Sequence, residues 1–176
     1  MKQLIKNGKV HSFSNGKSQF LFKDIIISGN EIAALGGNYE ERFFDKIIDA
    51  NNCIVIPGIV NAHLHSHDHF NKGGFDNLPL ELWLLALRPT STGMTHTADE
   101  IYLRTLYGCI EMFKTGTTTI IDDITQTNIF DEEKIDAVFK AYDTAGIRGF
   151  ITTMTLDKGL DESVPYLNGL LSIEEK

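Results

Sequence analysis

The stretch NAHLHSHDHF, residues 61–70, sets His63, His65, His67 and His69 at alternate positions, four of the chain's six histidines. Neutral imidazole ligates zinc, iron and nickel, and its protonation changes near neutral pH. The row therefore suits a metal site or a pH-sensitive surface, and equally an ordinary solvated loop. In extended backbone, side chains two apart leave the same face, so a strand through this point would aim His63 and His65 at one cation. The preceding run IVIPGIVNA supplies such a strand, and the carboxyl end of a parallel strand is where α/β barrels carry their chemistry. Asp68, Asn71, Lys72 and Gly73-Gly74 take the chain out of the sheet soon afterwards. His67 and His69 thus read as solvated or substrate-facing loop residues. His11 and His96 lack neighbours in sequence and read as chemically idle.

The elements that would hold these residues follow from periodicity. Residues 1–56 alternate short β-rich runs (LIKNGKV, FLFKDIII, IAALGG, KIIDA, CIVIP) with Asn-Gly, Ser-Gly and Gly-Gly turns, which predicts a small antiparallel β unit. After Pro57-Gly58 the pattern becomes strand, helix, strand, helix, strand. NLPLELWLLALRP predicts a short helix over 79–88. Thr97 to Glu100 has the spacing of a capping box and opens a helix over 98–115, with Tyr102, Leu106, Cys109, Ile110 and Phe113 as its apolar face and Gly116 as its stop. TTTIIDDI (117–124) reads as a buried strand. Asp131, Glu132 and Glu133 open a second helix with Ile135, Val138, Phe139 and Tyr142 as its stripe and Gly146 as its end. IRGFITTMTL (147–156) closes the series as a strand. This alternation predicts a parallel sheet covered by crossover helices.

Composition narrows the functional classes. Of 176 residues, 42% are hydrophobic, enough for a core, and the formal charge of -8 argues against nucleic acid as a partner. The apolar run LWLLAL falls far short of the roughly 18 residues a membrane helix requires, and MKQLIKNGKV lacks the apolar centre of a secretory signal. No membrane partner and a cytoplasmic location are the expectations. Cys53 and Cys109, in apolar settings and far apart, read as buried small hydrophobes.

Several of these segments, in this order, resemble the amidohydrolase superfamily. DANNCIVIPGIVNAHLHS (49–66) is similar to the start of its catalytic barrel, and LPLELWL (78–84), EMFKTGTTTIIDD (111–123) and AYDTAGIRGF (141–150) continue the likeness. LIKNGKV and DIIISGNEIAALG resemble strands of the family's N-terminal β-sandwich. The combination is similar to the branch of cytosine, guanine and S-adenosylhomocysteine deaminases and triazine hydrolases. The resemblance implies an α/β fold, the N-terminal part of a metal-dependent hydrolase (β/α)8 TIM barrel preceded by β-sandwich strands, divided as 1–56 and 57–176. It implies one divalent metal ion, Zn2+ first and Fe2+ second, on His63 and His65. It further implies hydrolysis of C–N bonds other than peptide bonds, as in deamination of a small aminated heterocycle.

The family's remaining metal ligands and its proton-shuttling glutamate belong to later strands, so the catalytic residues are expected beyond residue 176. A complete barrel takes about 250 residues. The chain thus resembles the N-terminal portion of a longer hydrolase and is expected to be inactive alone. An open sheet edge makes association into a homo-oligomer a further expectation. Trp83 is a substrate-binding candidate, able to flank a planar ring, although LELWLLAL also reads as a core-facing helix. Asp122 and Asp123 match no ligand position and read as bracing or strand-capping carboxylates. The Pro-x-Glu that many relatives carry after their Trp-Leu pair is missing from LRPTSTGM, which leaves the substrate open. The competing reading is a noncatalytic remnant that binds metal or a partner chain.

Overall fold

A computed structural model describes residues 1–80, 82, 83, 96–124 and 131–153. The chain divides into two compact units, Met1–Pro57 and Gly58–Lys176.

The first unit holds seven short strands in two sheets. β1 (Lys2–Lys6), β4 (Ile25–Ser28), β5 (Glu31–Leu35) and β6 (Lys46–Asp49) form one, in the order β5-β4-β1-β6. β2 (Lys9–Ser14), β3 (Lys17–Phe22) and β7 (Ile54–Val55) form the other, in the order β3-β2-β7. Asn15-Gly16, both at positive φ, makes the tight turn between β2 and β3 that an Asn-Gly pair favours. Leu4, Val10, Ile25, Ile26 and Ala50 are its buried apolar residues. One expectation is corrected here: the unit is not wholly antiparallel. β6 runs parallel to β1 and β7 parallel to β2: the chain enters β6 through a 3₁₀ turn (Glu41–Phe43) and reaches β7 through a turn at 51–52, and each strand pairs with a strand distant in sequence instead of a hairpin partner.

The second unit is the alternating one. β8 (Ile59–Leu64), β9 (Thr117–Ile124) and β10 (Arg148–Thr153) form a parallel sheet in chain order, joined by helices α1 (Ala98–Lys114) and α2 (Glu132–Ala145). Thr97 caps α1: its side chain accepts from the Glu100 amide at 3.3 Å, while its own amide donates to Glu100 Oε2 at 2.8 Å. Asp131 caps α2 by accepting from the Lys134 amide. Gly146, at φ 76°, ends α2 in the left-handed conformation that glycine adopts without strain. In β9, Ile120 and Ile124 lie four residues apart on the covered face, and with Ile101, Cys109, Met112, Val138, Tyr142 and Ile147 they make the core.

The helices are rotated from their predicted faces. α1 buries Ile101, Arg104, Thr105, Gly108, Cys109 and Met112, whereas Ile110 and Phe113 are exposed. The cause is that α1 packs on α2 and on a 3₁₀ segment (Ser66–Asn71) as well as the sheet, and the 3₁₀ segment takes a polar and glycine face. Leu103, Tyr107, Ile110 and Phe113, spaced at three or four, are left as an exposed apolar row. In α2, Phe139 is likewise exposed, and Ala137 and Ala141 take buried places beside Val138 and Tyr142. Of the helix predicted over 79–88, Leu80, Leu82 and Trp83 are helical and the Trp83 amide donates to the Pro79 carbonyl at 2.9 Å. Residues 81 and 84–88 lie outside the described residues, as do 154–156 of the last predicted strand. Among the described residues no helix is long and apolar enough to cross a membrane.

Candidate functional site

β8 reaches the histidines through an irregularity. Asn61 pairs with Ile120 and Leu64 with Asp122, so three steps along β8 match two along β9. The extra residue is a bulge, and it re-aims the end of the strand. Leu64 packs against the core, so His63 and His65, flanking it, leave on the other side. Their rings meet edge to face with centroids 4.9 Å apart, and the two Nε2 atoms are 3.1 Å apart.

The tautomer of a neutral His65 follows from its partner. Its Nδ1 lies 2.8 Å from the backbone carbonyl oxygen of Asp123, which can only accept, so the hydrogen is on Nδ1. The neutral ring then presents a lone pair at Nε2, toward His63. A ligand imidazole held through its other nitrogen by a carbonyl is the usual arrangement at metal sites. With Zn–N bonds of about 2.0–2.1 Å, two nitrogens on one tetrahedral ion lie about 3.3 Å apart. The observed separation of 3.1 Å fits a shared divalent ion, as it also fits a single N–H···N hydrogen bond. Among the described residues no group of three or more His, Cys, Asp or Glu side chains is placed to hold a metal together.

Beneath the pair lies a buried polar layer. Asp122 is fully enclosed, accepting from the Ser66 amide at 2.9 Å through one carboxylate oxygen and from the Tyr142 hydroxyl at 2.6 Å through the other. Burial, reinforced by the Asp122 charge, holds the Tyr142 phenol well above its ordinary range. The same two causes push the Cys109 thiol up to about 11, so it is protonated at neutral pH and offers no thiolate. Arg104 is buried on α1, its pKa drawn down by desolvation and held up by the charges of Asp122 and Asp68. On the next strand position, Asp123 accepts from the Thr152 hydroxyl at 2.8 Å, tying β9 to β10.

Of the two places expected for His69, solvent is ruled out and the cleft wall is kept. The residue is not solvated but 6% exposed, because the chain after His65 turns into the 3₁₀ segment and lays this ring on α1. A Cβ at Gly108 would lie 1.9 Å from two of its ring atoms, so only glycine lets the ring approach the helix so closely. Burial first, then the Lys72 charge, lowers its pKa, while a hydrogen bond with the Arg104 backbone opposes the shift. His67 is half-buried, with its ring 5.4 Å from that of His65 and its Nε2 3.6 Å from Asp68. His11 pairs with Ser18 in the first unit, and His96 is exposed beside Glu100. Cys109 is buried as expected, but Cys53 is exposed, since it follows a turn at the start of the two-residue β7 instead of lying within a covered strand.

An open cleft of about 760 Å³ runs along this edge, with Asn61, His63, His65, His69, Trp83 and Glu111 among its walls. Trp83 is half-buried there, and Lys72 and Glu111 form an ion pair across the 3₁₀ segment and α1. A second concavity of similar size, about 750 Å³, is in the first unit and has no histidine in its lining. Sequence reasoning placed Tyr142 in the core and missed its hydrogen bond to Asp122. The parity of Asp122 with Ile120 and Ile124 was the available signal, since a carboxylate on a covered face needs buried donors.

Residues 54–173 match the model of the Amidohydrolase family. The chain is 33% identical over 174 residues to a 5-methylthioadenosine/S-adenosylhomocysteine deaminase of Carboxydothermus hydrogenoformans, covering 93% of this chain and 37% of that protein. Among solved structures it is similar to a triazine hydrolase from Arthrobacter aurescens, with TM-score 0.79 and 24% identity over 92% of this chain and 37% of the other. It is also similar to an adenosine deaminase from Xanthomonas campestris with bound zinc, with TM-score 0.63 and 22% identity, covering 84% and 33%.

Proposed function

Because the chain belongs to the amidohydrolase family, we propose that it forms the N-terminal part of a metal-dependent hydrolase that removes an amino group from a small aminated heterocycle. It spans 37% of the length of the deaminase relative described above, so this activity is assigned to the longer protein. The single observation that carries the reading is the His63–His65 pair, with Nε2 atoms 3.1 Å apart and the second ring held by a backbone carbonyl. The two imidazoles would hold one divalent ion, zinc by analogy with the neighbour that carries it. When bound, such an ion supplies a water whose pKa falls toward about 7. In this reading His65 keeps its proton on Nδ1 and its Nε2 lone pair toward His63 and the shared ion, and Trp83, which lines the same cleft, would flank a planar substrate ring.

Two protein ligands are fewer than the three a catalytic zinc site uses, so residues 1–176 alone are expected to bind metal without turnover. The same observation favours the second reading, a noncatalytic chain that binds metal or a partner. The two separate when the reading frame is extended past residue 176 and the product is assayed for ammonia release from purine nucleosides and aminated triazines. Release that stops with a chelator and with His65→Ala supports the hydrolase. A stop codon, or a longer product that releases nothing, favours the noncatalytic chain.

A further inference from the structure

The peptide unit between His65 and Ser66 is held at both ends. The His65 carbonyl accepts from the Asp68 amide at 3.1 Å, and the Ser66 amide donates to Asp122 at 2.9 Å. That amide opens the 3₁₀ segment, for which His65, at the N-cap position, provides no side-chain hydrogen bond. The missing acceptor comes from across the sheet instead, from a strand neighbour whose carboxylate is fully buried. Its second oxygen takes the Tyr142 hydroxyl, so the tip of β8 is tied through β9 to helix α2. One position along, the Asp123 carbonyl fixes the His65 ring itself. Consecutive residues of β9 thus secure the backbone after His65 and its imidazole.

We propose that Asp122 is a positioning residue for the metal pair: by holding the Ser66 amide and the Tyr142 hydroxyl together, its carboxylate sets the backbone from which His65 reaches the ion. This rests on the reading of His63 and His65 as ligands. Without the carboxylate, two buried donors lose their acceptor, the peptide after His65 is released, and the ring no longer meets the Asp123 carbonyl at a fixed angle. Removing a group that orients a metal ligand typically lowers affinity about 10- to 100-fold. Asparagine at this position can still accept from Ser66 through its carbonyl oxygen while its amide faces the tyrosine oxygen, so it preserves most of the arrangement.

The test uses the 176-residue chain with Zn2+ as probe, in competition with a chromophoric chelator, and with metal-free nitrogen-15 histidine spectra at pH 8 that report each ring's tautomer. Asp122→Ala is expected to lower Zn2+ affinity about 10-fold or more and to move His65 from the Nδ1–H form toward the Nε2–H form. Asp122→Asn is expected to stay near wild type in both. If Asp122→Ala does not fold, Tyr142→Phe removes one of the two ties and is expected to give a severalfold loss with a partial tautomer change. A folded Asp122→Ala chain, or failing that Tyr142→Phe, with unchanged affinity and tautomer overturns the proposal. His63→Ala and His65→Ala serve as the control: if neither alters Zn2+ affinity, the ligand reading fails, whereas the tautomer of His65 still reports on Asp122.

Discussion

Gly108→Ala offers a quantitative check on the packing that places the 3₁₀ segment against α1. The new Cβ would lie 1.9 Å from both Cε1 and Nδ1 of His69 and 2.7 Å from Nε2. Ordinary carbon contacts begin near about 3.5 Å, so the ring and the helix overlap by about 1.5 Å. Neither can yield easily, since His69 is 6% exposed and Gly108 sits in the middle of a seventeen-residue helix. Overpacking of this kind costs about 1–3 kcal/mol, while alanine in a helix interior returns about 0.8–1 kcal/mol over glycine. The expected net is a loss of up to about 2 kcal/mol, read as a lower urea midpoint by circular dichroism. The substitution should reverse its effect in a His69→Ala background, where the methyl enters vacated space and the helix propensity gain remains. A double-mutant cycle therefore isolates the contact. If Gly108→Ala stabilises the chain with His69 intact, the ring is not on the helix and the reasoning fails.

Further outcomes follow from the same structure. The lowered pKa of His69 means that the unfolded chain binds more protons as pH falls below about 6.5, so stability from this residue is complete above that pH and is lost as pH drops through the lower folded value. The urea midpoint of the wild type should therefore fall more steeply from pH 7 to 5 than that of His69→Ala/Gly108→Ala, and parallel curves would contradict the burial of His69. Iodoacetamide at pH 8 should label the exposed Cys53 and spare the buried Cys109, whose thiol is pushed up to about 11, giving one adduct by mass in the native chain and two in urea. Thr97→Ala removes the side-chain half of the α1 capping box, leaving the backbone amide of residue 97 bonded to Glu100, and should cost about 1 kcal/mol in the same denaturation assay.

Sequence pattern revealed the order of elements more readily than their orientation. The alternation after Pro57, the capping box at Thr97 and the glycine stop at Gly146 are local signals, each written in a few adjacent residues, and the structure carries all of them. Facing directions depend on distant partners. Phe113 and Ile110 fit an apolar stripe by spacing, yet the side of α1 that meets the 3₁₀ segment needs a glycine for His69, which turns those aromatic and aliphatic side chains outward. The parallel placement of β6 and β7 is hidden for the same reason, since nothing local distinguishes a returning strand from a hairpin partner. At the candidate site the alternation of His63 and His65 was readable, but their convergence depends on a bulge opposite Ile120 and Asp122 that the pattern does not announce.

Two ring nitrogens that share one ion can be observed individually in a Zn2+ titration of the nitrogen-15 histidine-labelled chain. The predicted result is that the Nε2 signals of His63 and His65 shift together and saturate at one equivalent, with the His65 proton retained on Nδ1 throughout. Saturation of His67 or His69 first, or movement of one member of the pair without the other, would contradict it.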